Sequence, residues 1–207
     1  MINIYVEGKP DERLIEGVIK NKFPTTTAAY KIVTTGGYTN IKKHTIPSEE
    51  NRDNEGINLV VFDADSSTQP DGGVLKRKEY ITAQNIFVDD VFLFPNNTDD
   101  GDIEILLEQI VNPNHQQIIN SFNRFQEDIG SRDFTTTPDV CKYIVPAQKS
   151  KIFAYADILK NSYAEHKNSV KNISLLDTRV YCLPDTDFWD LESEALLPLI
   201  QFLQKYF

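Results

Sequence analysis

With 207 residues, 40% of them hydrophobic and 25% charged, and a formal charge of −10, the chain has the composition of a globular protein able to bury its own core. No apolar run approaches a membrane span, and Met1 to Glu7 has neither a basic stretch nor a long apolar one; a cytoplasmic protein without membrane contact is expected. The acidic balance excludes a general electrostatic grip on long nucleic acid, which needs a basic surface.

Residues 2–6 read as a buried strand. Pro10 at a first helical position, with Asp11 and Glu12 behind it, starts a helix over residues 10–20, and Ile15, Val18 and Ile19 form its apolar stripe. Phe23-Pro24 closes that helix. A second strand is expected over residues 28–34, then a turn at Gly36-Gly37 and a short helix over residues 38–44. The acidic, polar residues 48–56 read as a surface loop. Residues 57–62 form the clearest buried strand and run straight into Asp63-Ala64-Asp65. A loop containing Gly72-Gly73 leads to a helix over residues 74–85 and a strand over residues 88–94. After Pro95-Asn96-Asn97 a helix is expected over residues 102–111. Strand and helix thus alternate four times, which predicts a mostly parallel, covered sheet in residues 1–112.

From residue 113 to 207 the pattern becomes mainly helical, with helices over residues 116–129, 150–163 and 191–206 and one late strand over residues 180–183. This half reads as an extension packed on the core, with a small helical subdomain as the alternative. Cys141 and Cys182 are far apart and belong to no metal-ligand pair, so both read as reduced core thiols. His44, His115 and His166 are equally scattered, which disfavours zinc. The basic runs Lys42-Lys43-His44, Lys76-Arg77-Lys78 and Lys149-Ser150-Lys151 could touch phosphates but read first as solvated faces.

In an open parallel sheet the ligand site lies outside the carboxyl ends of the strands. Glu7 directly follows the first strand, Asp63 and Asp65 follow the central one, and Asp102 and Glu104 open a later helix. Carboxylates gathered at one edge raise each other's pKa unless a cation intervenes. Oxygen ligands without neighbouring His or Cys indicate magnesium, manganese or calcium, and magnesium, which keeps several waters, suits a shallow open site. Each residue also has a plainer reading: Asp11 as a helix-start carboxylate, Asp102 as an N-cap, and Glu104 as an exposed glutamate at the margin of the stripe Ile103, Leu106, Leu107 and Ile110.

Tyr5-Val6-Glu7-Gly8-Lys9-Pro10-Asp11 resembles the first motif of Toprim domains, and Phe62-Asp63-Ala64-Asp65 resembles their Asp-x-Asp motif. Asp11, four places after Glu7, and the acidic start Gly101-Asp102-Ile103-Glu104 are similar to the arrangement in nucleases of the OLD type. Phe94-Pro95-Asn96-Asn97 and the Gly101 to Leu107 helix resemble small stand-alone Toprim-like proteins of uncharacterised function. The resemblance covers residues 2–111 and implies a Toprim-like α/β fold, with a parallel sheet flanked by helices and a largely helical C-terminal extension.

For function it implies magnesium or manganese on Glu7, Asp11, Asp63, Asp65, Asp102 and Glu104, and catalysis through Glu7, Asp63, Asp65 and a late lysine, Lys149 or else Lys151, on a DNA or RNA phosphodiester. No Gly-x-x-x-x-Gly-Lys-Ser/Thr sequence occurs, so the ATPase that accompanies the OLD type is not expected. Two alternatives stand beside this one. Asp63-Ala64-Asp65-Ser66-Ser67 loosely resembles the nucleophile motif of haloacid dehalogenase-type phosphatases, and a non-catalytic module binding nucleotide or nucleic acid through a metal would use the same carboxylates.

Overall fold

A computed structural model of the chain describes residues 1–131, 145–166 and 187–207. The first strand, β1 (Ile2–Val6), is buried along its whole length and is followed by helix α1 (Lys9–Lys22). Strand β2 (Tyr30–Thr34), a 3-10 helix (Tyr38–His44), α2 (Thr45–Asp53), β3 (Ile57–Asp63), α3 (Val74–Thr82), β4 (Asp90–Phe94) and α4 (Ile103–Gln109) complete the first part. The four strands form one parallel sheet in the order β2-β1-β3-β4, so the α/β architecture is the one expected.

Period-two alternation divides the sheet's side chains between two cores. Ile2, Ile4, Val6, Leu59, Val61, Phe92 and Phe94 face α1 and α4, whose Leu14, Val18, Leu106 and Leu107 are buried against them. Tyr5, Val60, Phe62 and Leu93 face the other way, towards Ile41 of the 3-10 helix and Ile81 of α3. Strands covered on both faces need continuous apolar runs, which is why Leu59 to Phe62 stands out in the sequence.

The later helices join the first of these cores. They are α5 (Gln116–Gly130), α6 (Gln148–His166) and α7 (Leu197–Leu203), and their Ile119, Ile152, Tyr155, Leu199, Phe202 and Leu203 are buried in it. Trp189 is fully buried, and Val111 pairs with it through an isolated antiparallel bridge. Phe207 closes against Phe23 and Tyr30. Among the described residues no helix is long and apolar enough to cross a membrane.

Three expectations are corrected. Residues 48–56 are not a loop, because α2 occupies most of them. That helix is held by buried polar side chains: Asn51 Nδ2 donates to the Met1 and Ile57 carbonyls and to Asn58 Oδ1, and Asn58 Nδ2 donates to the Ser48 carbonyl. Hydrophobic periodicity cannot report such a helix. The helix expected over residues 191–206 is shorter: a 3-10 turn (Glu194–Leu196), opened by Ser193 accepting from the Ala195 N–H, precedes α7, and Pro198 sits in its first turn. The second strand starts at Tyr30 rather than at residue 28. Cys141, Cys182 and the strand expected over residues 180–183 lie outside the described residues.

Leu14 lies on the α1 face that covers β1 and is fully buried. Leu14→Ala is expected to lower the unfolding free energy by about 2–5 kcal/mol, the range for an uncollapsed core cavity, measured by urea denaturation.

Candidate functional site

The parallel register that pairs Val6 with Val61 brings the carboxyl ends of β1 and β3 to one level. Glu7 is the first residue beyond β1, and Asp63 is the last residue of β3. The two are joined directly, because Glu7 Oε1 accepts from the Asp63 N–H at 3.1 Å. Glu7 Oε2 accepts from the Tyr38 N–H at 2.9 Å, while its carbonyl accepts from Gly36 and Gly37. The Gly36-Gly37 turn therefore wraps the Glu7 backbone and side chain together.

Gly8 caps α1, and Asp11, in the first turn, returns Oδ2 to the Gly8 N–H at 3.0 Å. The plainer reading of Asp11 as a helix-start carboxylate thus holds for one oxygen. The other, Oδ1, is buried and has no hydrogen-bond partner, in a residue only 4% exposed. An orphaned buried acceptor is costly and calls for a ligand, a proton or a cation.

From the other side, Asp102 is the N-cap of α4 and accepts from the Ile105 N–H at 3.1 Å, as its plainer reading has it. Asp63 Oδ1 accepts from Ile103 N–H at 2.9 Å, so the start of α4 is fastened to the end of β3. Glu104 is 5% exposed, not the exposed glutamate of the alternative reading. Lys149 from α6, itself largely exposed, places Nζ 3.6 Å from Glu104 Oε1 and so reaches the cluster's rim. Lys151 does not: it is buried and pairs with Glu108 at 2.9 Å.

Asp65, two residues beyond Asp63, adds its charge to those acting on Glu7 and Asp102. Its φ is +58°, and it exchanges two backbone hydrogen bonds with Gly101. Gly101 has φ +145°, and a Cβ there would stand 2.4 Å from Ile105 Cδ1, so only glycine fits the joint. The Asp65 carboxylate is paired with Arg77 Nη2.

Arg77 is the residue that reading the sequence missed. It belongs to the run Lys76-Arg77-Lys78, expected to be a solvated face, yet it is 1% exposed with its Cζ 3.5 Å above the Tyr38 ring. The available signal was its spacing from Val74 and Ile81 at three and four residues, which puts it on the inward stripe of α3.

The electrostatics follow from crowding and burial. Burial pushes the Asp11 carboxyl up to about 7, with Glu7 and Glu104 adding to the rise. Asp63 is held well above the carboxylate range by burial and by Asp11, Glu7, Glu104 and Asp102 around it. Glu7 is raised by burial, against the lowering effect of the N–H of Asp63 and the charge of Arg77. Asp102 is raised by burial and by Glu104. Asp63 is therefore the hub of a cluster of mutually repelling carboxylates.

All the donors are hard oxygens, which fit magnesium or manganese, and Asp11 Oδ1 offers an unused one. Both oxygens of Glu7, Asp63 Oδ1 and Asp102 Oδ1 are engaged in the hydrogen bonds above, and among the described residues no group of three or more His, Cys, Asp or Glu side chains is placed to hold a metal ion.

Comparison with families of proteins matches residues 2–207 to one whose description is "Protein of unknown function (DUF3226)". No curated protein and no solved structure matches the chain.

A raised carboxyl pKa has a definite sign in stability. Between about pH 4 and pH 7 folded Asp11 keeps a proton that the unfolded chain has lost, so its contribution falls as pH rises through that window. Without divalent metal, Asp11→Asn is expected to flatten this slope and to be more stable than the parent at pH 8 by up to about 4 kcal/mol, read by urea denaturation across pH.

Proposed function

The chain belongs to the DUF3226 family, and we propose that it is a Toprim-like, divalent-metal-dependent enzyme that cleaves phosphodiester bonds in DNA or RNA. The observation that carries this reading is the convergence of Glu7, Asp11, Asp63, Asp102 and Glu104 at the carboxyl ends of parallel strands, with a buried unpaired oxygen on Asp11. A cluster of raised carboxyl pKa values around one strand end is the signature of a group built to meet a cation.

In this reading Asp63, with Asp11, Glu104 and Asp102, would hold magnesium or manganese. The ion would supply charge neutralisation at a phosphate oxygen. Glu7, held by two backbone N–H groups, accepts the proton of an attacking water, and its fixed position orients that transfer. Lys149, at the rim beside Glu104, meets a second phosphate oxygen. The acidic surface favours a short or terminal stretch of nucleic acid over a long duplex, because only local basic groups are present to contact phosphates.

A second reading is a module that binds a nucleotide or nucleic-acid end through metal without turnover. It is favoured by the engagement of both Glu7 and Asp63 in backbone hydrogen bonds that would hold them still. The phosphatase alternative makes Asp63 a covalent nucleophile and leaves Glu7 and Asp11 without a role, so it ranks below both.

Purified protein incubated with linear and circular DNA and with RNA, in magnesium or manganese, tests the proposal. Metal-dependent cleavage is expected, lost with chelator and lowered roughly 100-fold or more in Glu7→Gln and Asp63→Asn. Equal cleavage by the parent and Asp63→Asn would sink the enzymatic reading, and metal-dependent binding without cleavage would establish the second one.

A further inference from the structure

The sheet has two edges, and their backbones are finished differently. At β4 the Phe94 carbonyl accepts from the Ala64 N–H just beyond β3, so period two turns Val91 and Leu93 outward. Both outward N–H groups are capped by side chains, that of Val91 by Asp90 Oδ1 at 2.9 Å and that of Leu93 by Asn97 Oδ1 at 3.2 Å. The Leu93 carbonyl accepts from the Asn97 N–H, and Lys205 and Tyr206 close over Asp90. An edge blunted in this way offers little to another strand.

The opposite edge, β2, is left open. The Ala29 carbonyl accepts from the Ile2 N–H and the Thr35 N–H donates to the Val6 carbonyl, so Lys31 and Val33 also turn to β1, while Tyr30, Ile32 and Thr34 turn their N–H and C=O groups away from the sheet. Among the described residues none of these outward groups has a hydrogen-bond partner. The strand itself is held firmly, with Tyr30 and Ile32 packed against one core and Val33 against the other.

This edge is also where an acidic chain can approach a copy of itself. Two chains of charge −10 repel over most of their surface. Yet none of the 31 acidic residues falls between Glu16 and Glu49, and from residue 23 to residue 41 Lys31 is the one charged side chain. A strand of the same sequence laid on β2 brings no carboxylate of its own against another.

We propose that β2 docks β2 of a second copy, the two strands running antiparallel about a two-fold axis at Ile32 and joining the two sheets into one. The outward residues are centred on Ile32 and so are self-complementary: Ile32 exchanges N–H to C=O bonds with Ile32 of the second copy, and Tyr30 exchanges them with Thr34. Lys31 then stands opposite Val33, not opposite another lysine, and Tyr30 with Thr34 makes an aromatic and β-branched cross-strand pair of the kind that stabilises sheets. Because the strands are antiparallel, the carboxyl ends of the two sheets face opposite ways and each copy keeps its own carboxylate cluster, so pairing needs neither metal nor nucleic acid. A ladder of five residues lies at the small end of stable contacts, and a reversible dimer follows.

Sedimentation velocity of the full chain over about 1 μM to 1 mM, with amide hydrogen exchange at both ends of that range, tests the pairing. The parent's mass is expected to rise from 23.7 kDa towards twice that value. The amides of Tyr30, Ile32 and Thr34 are expected to exchange fast when dilute and at least roughly tenfold more slowly when concentrated, while those of Lys31 and Val33, bonded to β1, stay protected throughout. Ile32→Pro removes the central donor without breaking the ladder to β1, because proline is tolerated where the N–H faces out of a sheet, and it is expected to stay monomeric. Thr34→Pro is expected to do the same without touching the partly buried Ile32 side chain. A parent that stays monomeric, as it would if the strand of a different protein fills this edge, overturns the proposal. So does a dimer that survives in folded Ile32→Pro or Thr34→Pro, and so does exchange of the three amides that does not change with concentration. Should neither proline variant fold, the parent's three amides decide alone.

Discussion

The parallel pairing of β1 with β3 is the constraint on which the rest of the site depends. It sets Glu7 and Asp63 at the same height, close enough for the Glu7 carboxylate to accept the Asp63 N–H. Everything nearby is tied to that junction: the Gly36-Gly37 turn through the Glu7 carbonyl, the first turn of α1 through Gly8 and Asp11, and the start of α4 through Asp63 and Ile103. β3 is packed from both faces, and the fit of Leu59 and Val61 into one core and of Val60 and Phe62 into the other holds the register that the carboxylates use.

The same arrangement carries an electrostatic cost. Acidic groups that are buried and close together favour the protonated form, so the contributions of Asp11 and Asp63 to stability fall as pH rises towards neutrality. The structure offsets this in two ways. Backbone N–H groups point at Glu7, Asp63 and Asp102, and among the described residues Arg77 enters from inside and Lys149 from the surface. A buried cation and a solvated one are different tools: the first acts on its neighbours with little water to screen it, while the second is screened and keeps its charged end in water.

The helical second part contributes to the site through α6. Its inward side chains, Ile152 and Tyr155, join the core beneath the sheet, while Lys149, one turn earlier, comes to the rim of the cluster and Lys151 ties α6 to Glu108 of α4. A residue more than forty positions beyond Glu104 in the chain thus becomes its neighbour through packing alone.

What the sequence by itself determined is the part written in local patterns. Apolar runs ending in acidic residues marked β1 and β3 and placed Glu7 and Asp63 at strand ends; Pro10 and Asp102 announced the starts of α1 and α4; alternation of strand and helix implied the parallel sheet. These are properties of neighbouring residues, and backbone preference and period are enough to read them. Tertiary structure alone decided the rest. It made α2 a helix through Asn51, Asn58 and Ser48, buried Glu104, left one oxygen of Asp11 unpartnered, and drew Arg77 out of a basic run to neutralise Asp65. Each of these depends on which distant group stands opposite, and on how much water lies between, and neither quantity is written in the order of residues along one segment.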